Sequence, residues 1–420
     1  MTSTDDVLDL FEAFPKSADV QVDAQVVLGP YGIRARVAEL SAAFLNQGNA
    51  LTPGPSKVRL NLFSSADDDA TFVASGRVES FTPFQFEPVA LLDAPVSQDG
   101  VLVFSGRLDN ESDSAVTITL VNGVIDLDLF VPSIGSLAHF QAMRFDTTTR
   151  YVIRQLDGEL LPDCGVEDED EETEVDVADD GAGDRSDIAN PVAKLLIVYT
   201  SRVKAALGGE ASVRARAVSA VNKGNDVLEN SNVDVRLGLA AVVELPDYSE
   251  ISGKKGYYTM LEQLVKGSVI GLEKLHALRD QYEADLVSLL VANGSLGGLA
   301  NVMSKPSASF ANRAYSVVNY DSASIWTLVH EIGHNFGCCH ETGCKYTPSY
   351  SKGHTFKADG STWNTVMVKQ SVPGTRIGYF SNPLVSFRGV STGTEARNNA
   401  RVIKESTSTV IAFRPLQNLA

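Results

Sequence analysis

The N-terminal part of the chain alternates apolar and polar side chains over short stretches, which is the pattern of half-buried β-strands. Asp-Gly and Asn-Gly pairs, which favour tight hairpin turns, punctuate these stretches at residues 99–100, 122–123 and 157–158. The pattern predicts an antiparallel, β-rich domain over residues 1–165, flanked by short helices near residues 6–14 and 38–46. The predicted strands lie near residues 58–63, 101–104, 116–120 and 151–153.

From residue 192 onward the pattern changes, and apolar runs of strand length alternate with stretches that have helical periodicity. Alternation of this kind indicates an α/β domain, here over residues 191–420, so the whole chain is expected to be α+β. The predicted strands are 193–199, 233–243, 285–291, 297–302 and 314–318. The predicted helices are 211–228, 257–265, 271–282, 326–336 and 395–413.

An acidic segment separates the two predicted domains. Residues 167–187 hold twelve Asp and Glu side chains against a single Arg, so residues 166–190 are expected to form a solvated linker. This segment contributes much of the formal net charge of −18. Such a charge opposes binding to nucleic acid, which requires clustered Lys and Arg to neutralise phosphates.

No apolar stretch approaches the 18 residues or so that a membrane-spanning helix needs, so no membrane span is expected. The acidic start of the chain, Met-Thr-Ser-Thr-Asp-Asp, does not have the charge pattern of a secretory leader.

One stretch carries a complete set of metal-binding side chains. On a helix, His330 and His334 are one turn apart, so both rings can reach the same ion. Gly337 can adopt a positive φ and end the helix, so that the chain turns back and brings His340 to the same point. The alternative, ordinary histidines on an amphipathic helix, requires this spacing to arise by coincidence.

Three neutral imidazoles leave one position of a tetrahedral Zn²⁺ ion open for water, which is typical of a catalytic rather than a structural site. Glu331 adjoins the first ligand and is expected to act as the general base that takes the proton of this water. The sequence therefore predicts one catalytic zinc ion held by the three histidines.

The motif His-Glu-x-x-His-x-x-Gly-x-x-His resembles the signature of the metzincin zinc endopeptidases. Met367 lies in a Thr-Val-Met stretch that is similar to the turn found beneath the metal in this group. The wording of the motif, the segment 376–383 and the strand 195–200 resemble the reprolysin (adamalysin) branch, near the bacterial peptidyl-Asp metalloendopeptidases. Two positions depart from the pattern. Glu341 follows the third histidine, where reprolysins usually have Asp, and Lys369 lies where some other metzincin branches have a tyrosine that binds the metal.

The resemblance implies a secreted zinc endopeptidase that acts on polypeptides and is made as a proenzyme. The N-terminal domain would then be its propeptide, and the catalytic domain a metzincin-type α/β domain with a mixed sheet. The strand at the cleft edge, for which Gly298, Leu299 and Ala300 are candidates, would pair with the substrate. An ordinary core strand with a glycine bend is the competing interpretation. Arg376 is a candidate for contacting an acidic substrate residue, although a simple surface charge remains open.

Cysteines offer two further hypotheses. Cys164 could supply a thiolate to the open zinc position, as in a cysteine-switch zymogen, or be an unremarkable or disulfide-linked cysteine. A bridge from Cys338 or Cys339 to Cys344 would brace the loop that carries His340, with free thiols or an auxiliary metal site as alternatives.

A second function, from another class, is a zinc-containing binding or structural module whose cleft is permanently plugged by the N-terminal domain. The presence of Glu331 argues against this alternative, because a purely structural zinc site needs no base.

Overall fold

A computed structural model describes residues 7–12, 31–41, 53–63, 70–80, 101–144, 150–166 and 190–414. Almost all of the predicted acidic linker, residues 167–189, lies outside the described residues. The chain forms two compact units. The first includes Pro95–Leu160 and Lys204–Ser219, and the second includes Leu161–Val203 and Ala220–Ala420. The boundaries proposed from the sequence, 1–165 and 191–420, remain a prediction.

A nine-stranded sheet forms the first unit, in the order β1-β3-β4-β5-β6-β7-β8-β9-β2. Neighbouring strands pair antiparallel, except that β1 pairs with β3 in parallel. Asn122 and Gly123 adopt positive φ at the predicted hairpin turn between β6 and β7. The strands are β1 Val7–Asp9, β2 Gly32–Glu39, β3 Gly54–Phe63, β4 Ala70–Ser80, β5 Val101–Leu108, β6 Glu111–Val121, β7 Val124–Phe130, β8 His139–Arg144 and β9 Arg150–Leu156.

The sheet curls so that its two edges meet. Phe11, just after β1, bridges Leu40, just after β2, and Ser41 donates its backbone N–H to the Leu10 carbonyl at 3.1 Å. Alternate side chains point inward and form one apolar core that includes Leu60, Phe104, Ile118, Leu127, Phe140 and Ile153. The prediction of a β-rich region is confirmed for the described strands, whereas the helix predicted near residues 6–14 is wrong where the structure describes it.

A segment from much later in the chain, Lys204–Ser219, also belongs to the first unit. Within it, Arg216 donates from Nε to Asp126 Oδ1 at 2.8 Å, and both side chains are almost fully buried. Burial raises the pKa of Asp126, and the neighbouring Arg216 opposes that rise. This ion pair ties a helix to the middle of the sheet.

The second unit is built on a five-stranded sheet in the order β11-β10-β12-β14-β13. The first four strands pair in parallel, and β13 pairs antiparallel with β14, which makes the sheet mixed and leaves β13 at its edge. Parallel strands buried on both faces are apolar throughout, as the runs in β10 and β12 are. The strands are β10 Val192–Thr200, β11 Arg236–Leu245, β12 Leu286–Val291, β13 Gly298–Ala300 and β14 Tyr315–Asn319.

Helices and small sheets complete the second half of the chain. The helices are α1 Ser201–Ala206, α2 Glu210–Asn230, α3 Lys254–Lys266, α4 Leu275–Gln281, α5 Leu328–Asn335 and α6 Asn399–Val410. Two small sheets of short strands follow α5. Their strands are β15 Thr355–Ala358, β16 Ser361–Asn364 and β17 Thr375–Arg376 in the first, and β18 Ser386–Phe387 and β19 Val390–Ser391 in the second. None of the helices in the described residues is both long and apolar enough to cross a membrane.

Candidate active site

Helix α5 carries the histidine motif, and both of its ends differ from a simple periodic helix. We predicted a start at Trp326, but this residue has a φ of 74° and the helix begins at Leu328. At the other end, Gly337 has the predicted positive φ of 96°. The N–H groups of Gly337 and Cys338 return to the carbonyls of His334 and Gly333 at 2.9 Å, as in a Schellman cap. The chain therefore reverses directly after the helix.

The three predicted ligands converge in a buried cluster. The ring centroids of His330, His334 and His340 are 4.8 to 5.2 Å apart, and all three side chains are almost inaccessible to solvent. Nδ1 of His330 faces the Val366 carbonyl and Nδ1 of His334 faces the Cys338 carbonyl, each at 2.8 Å. A carbonyl only accepts, so both Nδ1 atoms carry the proton and both Nε2 lone pairs are available to a metal.

The spacing of the ligand atoms fits a tetrahedral zinc ion. With Zn–N distances near 2.0–2.1 Å, two nitrogen ligands are separated by about 3.3 Å. Nε2 of His330 lies 3.2 Å from Nε2 of His340. Burial, followed by the neighbouring His334 and His340, lowers the pKa of His330 well below its usual value. The His330 ring is therefore neutral at physiological pH, as a metal ligand must be.

Glu331 lies beside this cluster and is fully buried. Burial raises the pKa of its carboxyl group to about 8, against the lowering effects of a hydrogen bond from Cys164 and of the Arg376 charge. Its Oε1 atom has no hydrogen-bond partner among the residues that the structure describes. A buried oxygen without a partner is costly unless a ligand completes its bonding, so this atom marks where a water molecule or substrate would bind.

Met367, the predicted residue of the turn below the metal, packs against α5 at Gly333. A Cβ atom added to Gly333 would lie 2.8 Å from Met367 Sδ, so only glycine allows this approach. The adjacent Val366 supplies the carbonyl that orients His330. The turn that contains Val366 and Met367 thus orients His330, one of the three predicted ligands.

Comparisons with known proteins agree with this geometry. Residues 190–381 match the Reprolysin_5 model, metallo-peptidase family M12. The chain is similar to a peptidyl-Asp metalloendopeptidase of Stenotrophomonas maltophilia strain R551-3, with 33% identity over 228 residues, 53% of this chain and 52% of that protein. The second half of this chain is reprolysin-like.

Two further relatives are similar over different lengths. A peptidyl-Asp metalloendopeptidase of Stenotrophomonas maltophilia strain K279a is 29% identical over 278 residues, which cover 63% of this chain and 64% of that protein. Human disintegrin and metalloproteinase domain-containing protein 10 is 34% identical over 89 residues, 20% of this chain and 12% of that protein. The chain spans about half to two thirds of the length of its two bacterial relatives.

Cys164 reaches the histidine cluster from the segment that precedes the acidic run, upstream of the residues that match the family model. Its Sγ atom lies 3.5 Å from His334 Nε2 and 3.5 Å from Glu331 Oε2. The ligand atoms of Cys164 and the three histidines all lie within 4.8 Å of one another. Tetrahedral zinc with a Zn–S distance near 2.3 Å would separate sulfur and nitrogen by about 3.6 Å, so the thiol also fits as a ligand.

The predicted edge strand lies next to this segment. Gly165 donates its N–H to the Gly298 carbonyl and Gly297 donates to the Asp163 carbonyl, both at 2.8 Å. Leu299 packs in the apolar core, so β13 is both a core strand and an edge strand. A Cβ atom at Gly298 would lie 2.6 Å from Glu331 Cγ. Ala300 is buried and pairs with Ser316 on β14.

Arg376 also lies at the cleft, on β17 rather than on an open surface. Its Nη2 atom donates to the Val368 carbonyl at 2.6 Å, just after Met367. Burial lowers the pKa of Arg376, while Asp163, Cys164, Glu331 and Glu341 raise it. The guanidinium therefore supplies positive charge close to the histidine cluster.

Cys339 and Cys344 form a disulfide, one of the two pairings that we proposed. The bridge lies in the loop that follows α5 and contains His340. Cys338 remains a free, buried thiol.

Sequence reasoning missed groups whose contribution depends on distant contacts. The carbonyls of Val366 and Cys338 orient two histidines, and a backbone carbonyl has no signature in a sequence. Asp163 was also missed: its Oδ1 atom accepts the N–H of Ser371 at 3.0 Å. Its position directly before Cys164 was the only available signal.

Proposed function

We propose that this protein is a zinc-dependent endopeptidase made as a proenzyme. The observation that supports it best is the convergence of three buried imidazoles, two of them oriented by backbone carbonyls, on a point beside the buried carboxyl group of Glu331. Zinc held there would polarise the scissile carbonyl and lower the pKa of a bound water molecule towards about 7.

The side chains around that point have separate roles. Glu331 accepts the proton of the attacking water on a carboxylate oxygen and later donates it to the leaving amine. Burial raises the pKa of its carboxyl group to about 8, and a cation bound nearby would favour the ionised form that a base needs. Once the Cys164 segment has left, strand β13 would offer its edge to an extended polypeptide through backbone hydrogen bonds, and Gly298 leaves room for Glu331.

Cys164 would keep the proenzyme inactive. With its thiolate on the fourth position, no water molecule could bind there, and residues 1–165 would act as a propeptide. Cleavage within residues 167–189 would separate this segment from the reprolysin-like region. The disulfide between Cys339 and Cys344 suits an oxidising compartment outside the cell, in line with a secreted enzyme.

Substrate choice is proposed to involve an acidic residue. The two Stenotrophomonas relatives are named for peptidyl-Asp cleavage. In this chain, Arg376 provides a partly buried cation next to the cleft, which can form a charge-assisted hydrogen bond with a peptide carboxylate.

The test is zinc content and peptide hydrolysis in two full-length variants. Cys164→Ser should bind about one zinc ion and gain activity over the unmodified chain. Adding Glu331→Ala should keep the zinc and lower turnover by about 100-fold or more. The control, Glu262→Ala, changes an exposed side chain on α3 and should have no effect. An active Glu331→Ala variant would contradict the proposal.

The contact between Cys164 and the cluster also suits the second candidate, a permanently plugged zinc module. Incubating the zinc-loaded chain with activating proteases, followed by gels and N-terminal sequencing, separates the two. Cleavage within residues 167–189 together with new peptidase activity supports the proenzyme. A chain that stays intact and inactive supports the plug.

A further inference from the structure

We infer that Asp163 is an internal mimic of a substrate's acidic residue and occupies the position in the cleft that would bind that residue. The inference rests on the proposed peptidase function and assigns Ser371 and Arg376 as the groups that recognise the carboxylate. Cys164 would block the metal, and Asp163 would separately hold the segment in the substrate's place.

The backbone of the segment is fixed on one side by the edge strand. Gly297 donates to the Asp163 carbonyl, and Gly165 donates to the Gly298 carbonyl, each at 2.8 Å. Cys164 and Gly298 form a parallel bridge. These bonds use the same strand edge that an extended substrate would use.

The Asp163 side chain is held from the other side of the cleft. Its Oδ1 atom accepts the backbone N–H of Ser371 at 3.0 Å. Ser371 lies in the loop between Met367 and β17, and Arg376 Nη2 is anchored to the Val368 carbonyl in the same loop. Burial lowers the pKa of Arg376, and among the acidic groups that raise it Asp163 has the largest effect. The Ser371 amide thus binds the carboxylate directly, and the guanidinium of Arg376 adds positive charge nearby.

Glycines make the close approach possible. A Cβ atom on Gly297 would lie 2.7 Å from the Pro162 carbonyl oxygen, and one on Gly165 would lie 2.5 Å from Leu296 Cδ1. The first contact, with a backbone oxygen, would force the segment away from the chain next to the edge strand, and the second would require the Leu296 side chain to move. The segment therefore fits the strand edge at backbone distance rather than lying loosely over it.

The direction of the segment explains why it would resist cleavage. It runs parallel to β13, whereas a substrate is expected to add as an antiparallel strand. The Cys164 side chain, rather than a peptide carbonyl, approaches the histidine cluster. Asp163 can thus use the recognition groups without placing a scissile bond beside Glu331.

The test measures how fast iodoacetamide modifies the Cys164 thiol in the zinc-loaded, full-length chain. Peptide mass spectrometry separates Cys164 from the other free thiol, Cys338. Asp163→Asn should speed modification about tenfold, because the group that accepts the Ser371 N–H loses its negative charge. Glu159→Gln removes the same charge from an exposed position just upstream and should leave the rate unchanged.

A double-mutant cycle separates recognition from general destabilisation. Arg376→Gln should also speed modification, and the Asp163→Asn, Arg376→Gln double variant should exceed the larger single effect by less than about twofold. In the Cys164→Ser background, Arg376→Gln should remove any preference for Asp over Asn in a peptide library.

The result that overturns the inference is an Asp163→Asn rate equal to that of the unmodified chain, or single effects that simply multiply. Failure of the proposed function is different: Cys164→Ser would bind zinc yet hydrolyse no peptide, whatever the thiol rates are.

Discussion

At the scale of single residues, the candidate site depends on glycines that leave room for larger side chains. Gly333 admits Met367 below the helix, and Gly298 admits Glu331 at the cleft edge. The motif predicted the ligand residues because their spacing is local. The need for glycine at position 298 could not be predicted from the sequence, because it depends on which distant side chain packs against this residue.

Gly298→Ala should therefore impair catalysis without removing the metal. The new Cβ atom would lie 2.6 Å from Glu331 Cγ and push the carboxylate away from its place beside the histidines. In the Cys164→Ser background we expect kcat/KM to fall by about 100-fold, the typical cost of misplacing a catalytic group by about 1 Å. Zinc content measured on the same sample should stay unchanged. Unaltered kcat/KM would show that Glu331 has another position available.

Asp163 and Ser371 illustrate the limit of residue-level prediction. They are 208 positions apart in the chain, yet they share a hydrogen bond at the cleft. Neither belongs to a motif, so only the folded chain brings them together. The histidines, by contrast, lie within one turn and one loop of each other, so their convergence could be predicted from spacing.

At the scale of elements, apolar periodicity predicted most strands and helices of the second half within a few residues. It failed at the start of α5, because periodicity does not report backbone conformation. Trp326 adopts positive φ, and its ring packs closely against Gly378, where a Cβ atom would lie 3.2 Å away. Periodicity also did not indicate that Lys204–Ser219 packs with the N-terminal sheet.

The buried ion pair between Arg216 and Asp126 should be a large contributor to stability. Asp126→Asn removes a buried counter-charge of Arg216, and we expect the free energy of unfolding to fall by about 3–5 kcal/mol. Urea unfolding followed by circular dichroism measures this. The control is Asp109→Asn, which breaks the exposed pair with Lys57 and should cost about 0–1 kcal/mol. Equal effects of the two variants would contradict the role of burial.

Asp285, just before β12, should make the stability of the second unit depend on pH. Burial raises the pKa of its carboxyl group to about 7, although the N–H groups of Lys194 and Arg414 oppose the rise. An unfolded Asp has a pKa near 3.9, so the folded chain binds more protons between about pH 4 and pH 7. The contribution of Asp285 to stability is thus greatest below about pH 4 and is lost as pH rises through about 7.

The measurement compares the unmodified chain with Asp285→Asn by urea unfolding from pH 4 to pH 8. The stability of the unmodified chain relative to the variant should fall by up to about 1.4 kcal/mol per pH unit in this window. A constant difference between the two proteins across the range would contradict the raised pKa.

At the scale of the whole molecule, the chain carries both a candidate active site and a segment whose Cys164 side chain contacts it. Cys164 belongs to the same compact unit as the histidines, although the sequence analysis grouped it with the N-terminal domain. The acidic residues 167–189 connect it to the reprolysin-like half, so a cut there would free the cysteine segment from its covalent link. The acidic composition was enough to identify this connecting segment. The position of Cys164 beside the histidines could be seen only in the folded structure.

The most direct test of this account is zinc X-ray absorption on the metal-loaded, full-length chain. We expect three nitrogen ligands at about 2.0–2.1 Å and one sulfur at about 2.3 Å. Sulfur should disappear in Cys164→Ser and remain in Cys338→Ser. A spectrum without sulfur in the unmodified chain, or with sulfur retained in Cys164→Ser, would contradict the central claim that three histidines and Cys164 share one ion.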